Sequence, residues 1–361
     1  MPPSSTAASR RPHLIELAAV SGDTGGVRRL ANLYFRVDSV GDLSDFMRWR
    51  VAVALADSGA QAAIRARMDR MTLSTLFRIA GTAQLDGVGL ADVSPALEAA
   101  ARHSSAANPG LAFLHAATAA NRGQAAKLDT MMVLAERVGF PPYRIGGVRA
   151  SAGSFWLPDA RVAGDGARQL ESLLSRGERG AARIESVCSL GEFEFARGDT
   201  VRLDRARSTL RRLAAAESDS AAAAEARICA LKLDAGAAIL RDPAAAGDAV
   251  GRFEAAIEDM PPTSPADHLI LALMHERRGD PRASLAAAQR REHHWIGGLF
   301  FLTAYLLQEA RMARIAGDDS TAIRAYQHYL GLRTDPDPSI APAREQVRRE
   351  LAELLGEPRR R

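Results

Sequence analysis

Along most of this chain, apolar residues recur three and four positions apart, the period of an amphipathic helix, in stretches separated by short turns. The turns fall at Arg122-Gly123-Gln124, Ala163-Gly164-Asp165, Arg197-Gly198-Asp199, Arg278-Gly279-Asp280 and Ala316-Gly317-Asp318, with a related Arg241-Asp242-Pro243. Taking the glycines and Asp242 as markers, the intervals are 41, 34, 44, 37 and 38 residues. Helix-turn-helix repeats have this period. At each turn the glycine permits a helix to end, and the polar residue after it begins the partner helix.

The stretch from Glu178 to Ala196 reads as one helix with a stripe of Ile184, Val187, Cys188, Leu190 and Phe195, followed after Gly198 by Leu203, Ala206, Leu210 and Leu213. Ser264-Pro265-Ala266-Asp267 predicts a helix start, with a side-chain cap, a proline in the first turn and an acid near the positive helix end. Helices are also expected over 299–315 and 319–332, where Asp335-Pro336-Asp337-Pro338 ends the pattern, and over 341–355. Upstream, 43–56 pairs with 60–71 and 73–83 with 94–103, and Asn108-Pro109 opens a helix ending at Gly123. Phe140 to Asp159, with three prolines and several glycines, breaks the rhythm and reads as an inter-repeat loop or a short hairpin insertion. The expected organisation is a disordered 1–12, a first helical array over 13–140, an irregular segment at 141–160, a second array with a capping helix over 161–356, and a charged tail at 357–361.

In Gly317-Asp318-Asp319-Ser320-Thr321-Ala322-Ile323-Arg324-Ala325-Tyr326, a turn glycine, a small residue and an aromatic fall at the spacing of the tetratricopeptide repeat. Leu190-Gly191, ahead of Gly198, reproduces that family's Leu-Gly pair in the first helix. Over residues 178–334 the chain resembles this family. The resemblance implies an all-α, right-handed solenoid of about seven hairpins, whose first helices line a concave groove that binds a peptide or helix of another protein. The groove positions map to Glu192, Phe195, Glu276, Arg277, Arg311 and Arg314. Arginine forks there suit a carboxylate-bearing partner.

Composition narrows the function classes. The net charge is only +4, from 47 basic and 43 acidic residues, so nucleic acid is not the expected partner. The apolar run from Trp295 to Leu307 is shorter than the roughly 20 residues of a membrane span. The N-terminus has no apolar secretory core, and a cytoplasmic protein is expected. Cys188 and Cys229 lie some forty residues apart without a paired framework, which predicts buried, reduced thiols. His275-Glu276 lacks the second histidine of a zinc-protease helix, and His293-His294 has no third ligand nearby in sequence. Gly22-Asp23-Thr24-Gly25-Gly26 lacks the lysine of a phosphate loop. No metal, cofactor or catalytic set is therefore expected, and the reading is a non-catalytic interaction scaffold. Its rivals are a sensor or regulatory arm of a bacterial signalling system and, behind it, a groove-sited enzyme using Glu192 and Glu276 as acids.

Overall fold

The computed structural model describes residues 14–19, 21–35, 42–103, 108–157, 159–217, 219–258, 264–291 and 296–356. The expectations for 1–12, for the tail at 357–361 and for His293-His294 lie outside those residues. The described residues are helical with no strand. The helices are α1 Thr24–Phe35, α2 Asp42–Ala54, α3 Ser58–Arg65, α4 Leu73–Asp86, α5 Val93–His103, α6 Pro109–Arg122, α7 Ala125–Arg137, α8 Pro142–Ser151 and α9 Ala160–Ser175. There follow α10 Gly180–Arg197, α11 Thr200–Ala216, α12 Ser220–Arg241, α13 Gly247–Glu258, α14 Asp267–Arg277, α15 Pro281–Gln289, α16 Leu302–Ala316, α17 Asp319–Leu332 and α18 Ala341–Leu354. The chain divides into two compact units, Met1–His115 and Ala116–Arg361, rather than at 141–160.

In the first unit α2 packs on α3 and α4, and α4 on α5, around the buried Met47, Trp49, Leu76 and Ile79. The indole of Trp49 donates to Asp92 Oδ2 at 2.9 Å, and Arg65 meets the other oxygen of the same carboxylate. A buried acid is tolerable here because both of its oxygens are partnered.

The second unit is a stack of hairpins. From α7 onward each helix packs on its chain neighbour, and the first helices α8, α10, α12, α14 and α16 also touch one another in that order. The turns use one device three times. Gly198, Gly279 and Gly317 end α10, α14 and α16 with φ of 76°, 76° and 81°, in the left-handed region that favours glycine. The aspartate that follows then caps the next helix: Asp199 accepts from the Arg202 N–H at 3.0 Å, Asp280 from Ala283 at 3.0 Å and Asp318 from Thr321 at 3.1 Å.

The loop expected at 141–160 is instead helix α8, which widens into one π-turn over Ala152–Trp156 before Asp159 caps α9. The turn expected at Ala163-Gly164-Asp165 lies inside α9. Glycine there serves close approach rather than chain reversal: a Cβ on Gly166 would lie 2.4 Å from the Ala150 nitrogen and 2.7 Å from the Gly146 oxygen, so α8 and α9 meet backbone to backbone.

The second unit also closes on itself. Arg333, buried at the end of α17, donates to the Ala120 carbonyl at 2.8 Å and to Thr303 Oγ1 at 3.0 Å. The Asp337 N–H donates to the Gly123 carbonyl at 2.9 Å, and its carboxylate accepts from the Ala126 N–H at 3.2 Å. Gln124, the N-cap residue of α7, makes no side-chain cap, so Asp337 supplies from 211 residues away the acceptor that α7 lacks. The Asp-Pro-Asp-Pro segment was expected only to end a helix. It also ties the end of α17 to the turn between α6 and α7.

Candidate functional site

The first helices α10 and α12 run in a register of 40 or 41 residues. Glu185 stands by Glu225, Cys188 by Cys229, Glu192 by Lys232 and Phe195 by Gly236. The ladder continues outward. Lys232 Nζ reaches Asp267 Oδ1 on α14 at 2.7 Å as well as Glu192 on α10. Gln308 on α16 donates to Glu276 on α14 at 2.9 Å and to Ser284 at 3.0 Å. Arg311 and Arg314 on α16 meet Glu350 and Glu353 on α18 at 3.1 and 3.0 Å.

This arrangement locates each residue assigned to the groove. Glu192 is 4% exposed and Phe195 1% exposed, so both are interior rather than open to a partner. Glu192 would not serve as a surface acid: the Lys232 ammonium, held between two carboxylates, stays protonated, while burial lifts the Glu192 carboxyl above its ordinary range. Glu276 and Arg277 are exposed, and the Arg277 guanidinium lies 4.5 Å from the centre of the Phe195 ring, covering it from solvent. Arg311 and Arg314 are half-buried, and the carboxylates they clamp belong to the chain's own last helix. The mapped set thus separates into an interior pair, an exposed pair on α14 and a pair committed to α18. Helical periodicity could not separate them, because the face turned toward the next hairpin carries polar residues as well as apolar ones.

The cysteines, expected to be reduced, form a disulfide between α10 and α12 with Cα atoms 5.7 Å apart. Their separation of 41 residues matches the register of these two helices, which only the packing reveals. For a loop of that length, the chain-entropy relation gives about 4 kcal/mol, and engineered and native cases fall at or below such values. Reduction, or Cys188→Ala, is therefore expected to lower unfolding stability by about 2–4 kcal/mol. Denaturant titration with and without reductant measures this, and a denatured, unreduced sample that still alkylates would refute the bond.

The Glu185–Glu225 rung carries a pH dependence. Burial, and next the Glu185 charge, push the Glu225 carboxyl from 4.5 up to about 7, against the lowering effects of Lys232 on its own helix and Arg144 on α8; Asp267 on α14 adds to the rise. Glu185 is also raised by burial, although Arg144 lies 3.6 Å away. A carboxyl whose pKa is higher in the folded state stabilises that state fully below its unfolded value, and the contribution is lost as pH rises through the folded value. Stability should accordingly fall as pH rises from about 4.5 to about 7. Glu225→Gln should flatten this fall and be more stable than wild type above it, by roughly 1 kcal/mol after allowing for solvent screening at a partly exposed site. Thermal melts across that range would show it, and parallel curves for the two proteins would dismiss it.

Among the described residues, no helix is long and apolar enough to cross a membrane, and no group of three or more His, Cys, Asp or Glu side chains is placed to hold a metal ion. No family model matches the sequence, and comparison with curated proteins gives no match. A solved structure, the crystal structure of the P58(IPK) TPR domain, aligns over 96% of this chain and 99% of its own at 12% identity, with a TM-score of 0.26 that is too low to bear on the fold.

Proposed function

We propose that this chain is a non-catalytic interaction scaffold that binds an acidic peptide or helix of another protein. The observation that supports the reading most directly is the stacking of the first helices, which brings side chains of α14 and α16 to neighbouring positions, as the Gln308–Glu276 hydrogen bond shows. Arg277 is the residue best placed to take a partner carboxylate. It is exposed, its guanidinium lies over the Phe195 ring, and it forms no ion pair among the described residues, the carboxylate acting on it being that of its chain neighbour Glu276. A cation already positioned on an aromatic ring loses less freedom on binding than one that is loose. Arg311 and Arg314 on α16 would be offered to a partner only in exchange for the Glu350 and Glu353 carboxylates of α18 that they hold in the free chain.

The test is an affinity capture comparing wild type, Arg277→Glu, and the Arg311→Ala, Arg314→Ala pair, with helicity and melting temperature recorded for each. Arg277→Glu breaks none of the described ion pairs, so partners lost by this variant at unchanged stability would support the reading. Retention of the same partners by both variants would discard the assignment.

A further inference from the structure

On the opposite side of α10 from the Lys232 ladder lies a cavity of about 340 Å³ between α9, α10 and α11. Leu174, Val187, Leu190 and Ala206 contribute its apolar surface, and Arg183, Arg202, Arg205, Glu171 and Glu194 its charge. The volume is that of a small-molecule site, and half of the ten lining residues carry charge.

The charged groups are unequally committed. Arg202 is held by Glu194 at 3.3 Å and Glu171 at 3.5 Å. Arg183 and Arg205 are exposed and have no carboxylate partner among the described residues. Glu194 is only 4% exposed; its Oε1 accepts from Arg202, while its Oε2 is buried without a hydrogen-bond partner. A buried carboxylate oxygen left unmatched costs free energy that a donor would recover. Burial accordingly lifts the Glu194 carboxyl above its ordinary range despite the arginine.

We infer that this cavity binds an apolar α-amino acid or short apolar peptide. Its ammonium group would donate to Glu194 Oε2, which is closed to solvent in the free chain and is reached when the side chains around it shift; its carboxylate would meet Arg205 and Arg183, and its side chain would lie on Leu174, Val187 and Leu190. The two chemical demands of the wall, a donor for a buried anion and an acceptor for two uncommitted cations, are met together by a zwitterion. A simple fatty acid meets only the second and an amine only the first. The site lies apart from α14 and α16, so it stands or falls independently of the acidic-partner reading above.

Calorimetric titration of the full chain with L-phenylalanine, L-leucyl-L-leucine, N-acetyl-L-phenylalanine and L-phenylalaninamide tests the proposal. The free amino acid or the dipeptide should bind, while the acetylated and amidated forms, each lacking one charge, should bind at least about tenfold more weakly. Arg205→Ala, at an exposed position, should weaken zwitterion binding about tenfold without changing the melting temperature, and Glu194→Gln should weaken it while the protein stays folded. Equal binding of phenylalanine and its acetylated form, or no binding of either zwitterion at millimolar concentration to the folded wild type, would overturn the assignment.

Discussion

Lys232→Met should cost about 3–5 kcal/mol of unfolding stability. The Lys232 side chain is 1% exposed, and its ammonium group is the common partner of Glu192 on α10 and Asp267 on α14. Removing it leaves two carboxylates inside the stack with no cation between them. One or both must then take up a proton, or the three first helices must part to admit water. The loss should therefore be greater at neutral pH than in mild acid, where the acids can be neutral. Adding Glu192→Gln and Asp267→Asn to Lys232→Met should return much of the stability, because the penalty comes from unpaired charge rather than from the loss of a strong bond. Denaturant unfolding of the single and triple variants at two pH values decides the matter. A single variant within about 1 kcal/mol of wild type at neutral pH would show that the three helices do not share this ion cluster.

Gly166→Leu should rank next, at about 3 kcal/mol or more, because the new side chain meets the Ala150 nitrogen and Gly146 oxygen of α8, backbone atoms that cannot rotate aside as a side chain can. Gly164→Ala, two residues away in the same helix, should do the opposite. Its Cβ would come no nearer than 3.4 Å to the tip of Arg168, and alanine in a helix interior is worth about 0.5–1 kcal/mol over glycine. The pair is diagnostic. If 141–160 were an irregular loop with a turn at Gly164, the substitution at Gly164 would be the damaging one. Thermal melts of the two variants separate the alternatives by sign.

Much of the helical architecture is legible in the residues. The Gly-Asp turns at 198–199, 279–280 and 317–318 end one helix and cap the next through local backbone geometry, so their effect does not depend on distant contacts. The helices expected over 319–332 and 341–355 are found over Asp319–Leu332, capped by Asp318, and Ala341–Leu354, which has a proline in its first turn and no side-chain cap. Where the reading failed, a residue type had two uses. The glycines and prolines of 140–159 signal a loop when taken locally, yet Pro142 starts α8 in the first-turn position that tolerates proline, and Gly146 lies against Leu170 of α9. Glu192 and Phe195 share the helical face that the family pattern turns toward a groove. Whether that face meets a partner or the next hairpin depends on Lys232 and Gly236, about 40 residues later.

The sequence by itself determined what near neighbours in the chain can decide: that most of the described segments are helices, where several of them turn, and which aspartates after the turn glycines cap the next helix. Tertiary structure alone decided the pairing of Cys188 with Cys229, the interior position of Glu192, the cap that Asp337 lends to α7, and the unmatched oxygen of Glu194. Each of these depends on groups brought together from distant parts of the chain or on the burial of a charge. A local pattern carries no record of either, because the cost of burying a charge depends on what packs beside it.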